Sequence, residues 1–185
     1  MRGNWAIGMG MAIVATVGVI GRTQASLLEL DFAPMTVNVF FCDFSDVPPT
    51  ARQQALAAAE RALATARITI RWTLECGPRP AAELSLIALK RIPFEKMASP
   101  YAMGATAVDS EESGRQALVF LDRVCAFDRS KSGKKECANA GVLLGYAMAH
   151  EIGHLLGWEH QPRGVMAATW THETWWLAIQ RLLSF

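Results

Sequence analysis

The stretch His150-Glu151-Ile152-Gly153-His154-Leu155-Leu156-Gly157-Trp158-Glu159-His160 carries three of the chain's four histidines. It closes an apolar run that predicts a helix from Ala138 to Gly157. Residues four apart on a helix lie one above the other, so His150 and His154 present their imidazoles from one face, at a separation a single metal ion can bridge. A helix continued past His154 would rotate His160 away from that ion. The chain must therefore turn, and Gly157 offers the left-handed conformation that ends helices without a Cβ penalty. Three neutral imidazoles suit Zn²⁺ and leave a fourth position open for water, as in a catalytic rather than a closed structural site. Glu151 follows the first ligand directly and can point at that water as a general base instead of joining the metal shell.

H-E-x-x-H alone recurs by chance on ordinary apolar helices. The longer pattern H-E-x-x-H-x-x-G-x-x-H fixes five residues in eleven and is much harder to meet by accident. With Met166 following after Gln161-Pro162-Arg163-Gly164-Val165, it resembles the signature of the metzincin zinc metalloproteases, most closely their matrixin branch. The resemblance implies an α+β fold of zincin type: a twisted mixed sheet of four or five strands, a long helix behind it, an active-site helix, and a C-terminal helix after the Met-turn. It implies one catalytic zinc on His150, His154 and His160, and a hydrolase that cleaves peptide bonds with water activated by Glu151. Gly157 and Met166 then give structural support, Met166 as an apolar floor beneath the histidines. By the same resemblance, Ala117 to Leu121 would be the sheet edge that pairs with an extended peptide. The likeness is close over residues 150 to 166 and only architectural before them. No histidine precedes His150, so the second, structural zinc of vertebrate matrixins has no ligands here. Cys76-Gly77-Pro78-Arg79 faintly resembles a cysteine switch, but a disulfide accounts for Cys76 better.

Upstream of this stretch the hydrophobic pattern changes period several times. Thr36 to Phe41 reads as a buried strand ending at the Asp43 to Pro49 turn cluster. Thr50 to Ala66 carries Ala55, Leu56, Ala59, Ala62 and Leu63 at helical steps, after a Pro-Pro-Thr start. Ile68 to Leu74 and Leu84 to Leu89 read as strands. Pro93 to Gln116 holds no sustained period and is expected as a long surface excursion. Ala117 to Val124 gives another strand, followed by a basic loop from Arg129 to Lys135. A last helix is expected over His172 to Leu183, with His172 decorating its start. Trp158, Trp170, Trp175 and Trp176 are candidates for a substrate pocket, although core packing is the safer expectation for Trp176.

The N-terminus places Arg2 before an apolar stretch from Ala6 to Ile20, then Thr23-Gln24-Ala25, the layout of a signal peptide cleaved after Ala25. Residues 26–185 would form one catalytic domain, secreted or periplasmic, without stable membrane association. Four cysteines in an exported chain favour disulfides, with Cys42–Cys76 and Cys125–Cys137 the expected pairs among three arrangements. None has C-x-x-C spacing, which disfavours a cysteine zinc site.

With 185 residues and 51% hydrophobic content, the chain fits one globular domain and a monomer. A net charge of +1 with scattered Lys and Arg argues against a nucleic-acid surface. Asp109, Glu111 and Glu112 offer oxygen ligands for calcium, but no calcium loop is recognisable and solvated charge explains them. The partner expected is a peptide or protein substrate. The alternatives are a peptidase confined to short peptides and a catalytically silent zinc-binding module that recognises a partner. Glu151 argues against the silent module, which needs no base beside the water.

Overall fold

The computed structural model describes residues 34–77, 84–92, 102–108 and 115–185. In chain order the elements are β1 (Met35–Phe44), α1 (Pro49–Ala64), β2 (Ile68–Thr73), β3 (Leu84–Leu89), β4 (Gly104–Val108), β5 (Arg115–Phe120), α2 (Leu121–Ser132), α3 (Ala140–Leu155) and α4 (His172–Ile179). The fold is α+β, with a mixed sheet of five strands in the order β2-β1-β3-β5-β4. β1 pairs in parallel with β2 and β3, and β3 in parallel with β5; only β4 runs antiparallel.

β1 lies inside this sheet, and Val37, Val39 and Phe41 enter the core at alternate positions, as the two-residue period of a strand requires. Pro49 opens α1, where its fixed φ suits a first turn and its missing N–H costs nothing. The helix buries Ala55, Ala58, Ala59, Ala62 and Leu63. These small side chains let α3 approach closely: a Cβ at Gly145 would collide with the Ala55 carbonyl and the Ala58 side chain. α3 in turn packs on β5 and β4, which sets its C-terminal half against the edge of the sheet.

Several expectations are corrected. Ala117 to Leu121 is not the sheet edge: β5 is enclosed between β3 and β4, and β4 forms the edge. β4, Gly-Ala-Thr-Ala-Val, lies within the segment expected to be a surface excursion, because so short a run of small residues shows no hydrophobic alternation. The strand expected over Ala117 to Val124 ends at Phe120, and the basic loop begins as helix: Leu121–Ser132 is α2, stopped by Gly133 at φ 69°. Its core side, Leu121, Val124, Cys125 and Asp128, mixes a disulfide and a buried acid into what would otherwise be an apolar stripe. Trp176 is 47% exposed, whereas Trp170 and Trp175 are buried. Successive helical residues point about 100° apart, so burying Trp175 turns its neighbour outward.

Both expected disulfides are present. Cys42–Cys76 ties β1 to the segment after β2, and Cys125–Cys137 ties α2 to the approach to α3, each with Cα atoms 5.0 Å apart. Two disulfides and no free cysteine fit an oxidising, extracytoplasmic compartment. No helix among the described residues is long and apolar enough to cross a membrane. Residues 1–25, expected as a signal peptide, and the acidic residues Asp109, Glu111 and Glu112 lie outside the described residues.

Candidate metal centre

α3 ends two residues before Gly157, and the manner of its ending builds the site. Gly157 takes φ 89°. Its N–H donates to the His154 carbonyl at 2.9 Å, and the Trp158 N–H reaches back to Gly153 O at 3.0 Å. That pair of bonds is a Schellman termination, which satisfies helix-end carbonyls while reversing the chain. The reversal carries the Trp158 carbonyl to His154 and brings His160 back over the helix.

The three imidazoles converge. His154 Nε2 lies 3.1 Å from His150 Nε2 and 3.2 Å from His160 Nε2. Backbone carbonyls fix the protonation of two rings, because a carbonyl can only accept: His150 Nδ1 donates to Val165 O at 2.7 Å and His154 Nδ1 to Trp158 O at 2.9 Å. When neutral, both rings therefore direct bare Nε2 lone pairs toward each other. Two lone pairs at that distance repel unless a cation lies between them, and carbonyl partners on the far ring nitrogens are how proteins orient histidine metal ligands. Nitrogens about 2.0–2.1 Å from a tetrahedral zinc stand roughly 3.3 Å apart, close to these separations. His150, His154 and His160 thus form a group that could hold a metal ion. Burial keeps His150 neutral, lowering its pKa to about 4 against the opposing hydrogen bond to Val165.

Glu151 is buried beside the histidines, with Oε2 accepting a 2.6 Å hydrogen bond from the Thr106 hydroxyl on β4. Burial pushes its carboxyl up to about 7, and the Thr106 hydrogen bond works in the opposite direction. The edge strand approaches so closely that a Cβ at Gly104 would stand 2.5 Å from Glu151 Oε1. Only glycine leaves the carboxylate its place. Arg115 on β5 donates to the Leu155 carbonyl at 3.0 Å, satisfying one of the last acceptors of α3. Neither Gly104, Thr106 nor Arg115 is marked in the sequence, since their roles depend on how far β4 and β5 slide along α3.

Met166 is buried, and a Cβ at Gly153 would lie 2.5 Å from its Sδ. The glycine within the histidine motif therefore makes room for the thioether beneath the helix. Gly164, at φ 80°, completes the turn before Met166, and the Met166 carbonyl accepts from Gln161 N at 2.8 Å. Val165 is held on both sides: its N–H donates to Ser184 O at 2.9 Å, and its carbonyl accepts from His150 and from Trp170 Nε1. Of the tryptophans, Trp170 lines the cleft, Trp158 packs edge-on against Phe185 at 5.0 Å, and Trp175 donates to buried Asp128 at 2.8 Å. His172 stacks obliquely on Trp175 at the start of α4 and lies outside the group of three histidines.

These groups open into a cleft of about 1150 Å³ between β4, α2 and the segment after Met166. No protein-family model matches the chain, and a search of curated proteins finds no match.

Proposed function

We propose that the protein is an exported zinc metalloendopeptidase of metzincin, matrixin-like type. The observation that carries this reading is the convergence of three imidazole Nε2 atoms, two with Nδ1 donating to backbone carbonyls, next to a buried carboxylate in an open cleft. His150, His154 and His160 would hold the ion. Zinc, when bound, supplies Lewis acidity that polarises a peptide carbonyl and acidifies a water.

Glu151 then has the position of a general base: it takes a proton from water as the water attacks, and returns it to the leaving amine. Thr106 fixes which carboxylate oxygen stays occupied, leaving Oε1 for that exchange. β4 ends the sheet, so its outer backbone edge can pair with an extended peptide and lay the scissile bond over the histidines. Met166 closes the floor without donating to the ion. The disulfides and the signal-like N-terminus support action in the periplasm or outside the cell, on a peptide or protein substrate.

The test is cleavage of a complex peptide mixture by the zinc-loaded protein and by Glu151→Ala. The wild type should generate new termini that the variant does not. Equal inertness of both, with zinc bound stoichiometrically, would favour a silent zinc-binding module instead.

A further inference from the structure

Beside the histidines, the cleft is walled by one face of α2. Arg123, Ala126, Phe127, Ser130 and Lys131 line it, at the three- and four-residue steps of a helical stripe. The rotation of α2 is fixed from behind. Val124 and Asp128 are buried, Cys125 is bonded to Cys137, and Asp128 accepts from Asn139 N, Asn139 Nδ2 and Trp175 Nε1 at 3.1, 2.9 and 2.8 Å. The stripe cannot turn away from the cleft without breaking that anchor.

The stripe brings the Lys131 ammonium group to a wall where, among the described lining residues, Glu151 is the sole carboxylate, and Glu151 is engaged by Thr106. Lys131 is half-buried, with Nζ 5.6 Å above the centre of the Phe127 ring. Phe127 meets Trp170 edge-on at 6.1 Å, and Trp170 meets His150 edge-on at 6.3 Å. An aromatic shelf thus runs from the ammonium group to the first imidazole. Among the described residues no carboxylate pairs with Lys131. A cation on an apolar shelf inside a cleft acts where water is partly excluded, so its attraction for an anion is less screened than on an open surface.

We propose that α2 is a specificity wall, with Lys131 over Phe127 selecting peptides that place a carboxylate on this side of the cleft. The assignment rests on the hydrolytic reading above for the statement that the ligand is a substrate. The carboxylate belongs either to an Asp or Glu side chain or to the free C-terminus of a short peptide; both present the same charged acceptor to the ammonium group.

The experiment measures equilibrium binding of peptides to zinc-loaded protein carrying Glu151→Gln, which blocks turnover. One set scans Glu through each position of a neutral, C-terminally amidated peptide; a second scans Gln; a third keeps Gln but has a free C-terminus. A carboxylate should tighten binding about tenfold over its Gln amide counterpart at one position, the scale of a charge-assisted hydrogen bond. Whether the internal Glu or the free terminus gives the gain identifies the source. Adding Lys131→Met should bring the ratio to near one, Lys131→Arg should keep it, and Lys131→Glu should turn the preference toward Lys-containing peptides. Equal binding of all three sets, or a preference that survives Lys131→Met, overturns the proposal even if the wild type cleaves peptides. Selective binding lost in Lys131→Met, with no cleavage by the wild type, supports carboxylate recognition by α2 and overturns the hydrolytic reading instead.

Discussion

The Thr106 hydroxyl on the edge strand donates a 2.6 Å hydrogen bond to Glu151 Oε2 on α3, joining the strand proposed to hold the substrate to the proposed base. Replacing Thr106 by Val keeps the shape and removes the donor. A hydrogen bond to a charged group contributes about 1.5–3 kcal/mol, so kcat/KM for peptide cleavage should fall roughly ten- to a hundredfold. Zinc content should stay unchanged, because the Thr106 hydroxyl hydrogen-bonds to Glu151 and to no histidine. Thr106→Ser should retain most of the activity. Steady-state kinetics with metal analysis on the three proteins checks this.

Gly157 has open space where a Cβ would stand, with no other atom within 4 Å, so a substitution there meets no clash and costs only what φ 89° costs an L-residue. That cost is about 1–2 kcal/mol for a residue without local hydrogen bonding, and greater for a β-branched one. Gly157→Val should weaken zinc binding although it changes no ligand, and Gly157→Asn should weaken it less, since Asn tolerates the left-handed region. Competition titration against a chelator measures both. Identical affinities in the three proteins would refute the role given to this turn.

Zinc that binds only the folded chain stabilises it by mass action. At a free concentration about a hundred times Kd the gain is about 2.7 kcal/mol, which for a domain of this size raises Tm by roughly 5–10 °C. His160 is exposed, so His160→Ala should leave the Tm of the chelated protein nearly unchanged while removing most of the rise on zinc addition. Thermal melts with and without zinc separate the two effects.

Asp128 is fully buried and accepts three hydrogen bonds from the start of α3 and from α4. Asp128→Ala leaves Asn139 N–H and Trp175 Nε1 without their acceptor. At about 1–3 kcal/mol for each unsatisfied buried group, the loss should be on the order of 3 kcal/mol in urea unfolding. Asp128→Asn should cost less, because one amide oxygen can still accept.

How much of the fold and site is legible in the sequence follows from where each signal lies. The three converging histidines and the turn at Gly157 depend on spacing within eleven residues, and helical geometry converts that spacing directly into positions. α1, β1, β2 and β3 follow from uninterrupted periodicity. β4 is hidden because Gly-Ala-Thr-Ala-Val has neither alternation nor bulk, and its value lies in that smallness: Gly104 admits Glu151 and Thr106 reaches it. α2 is hidden because its buried side includes Asp128 and Cys125, which interrupt the apolar stripe that marks a helix. The sheet edge falls on β4 instead of Ala117–Leu121 because strand order is a long-range property that local pattern does not encode.

The most direct test is to strip the protein with a chelator and titrate zinc back while following hydrolysis of a peptide substrate. The rate should rise in proportion to added zinc, level off at one equivalent, and stay at background throughout in Glu151→Ala. A wild type that takes up one equivalent of zinc and hydrolyses no faster than Glu151→Ala would contradict the account.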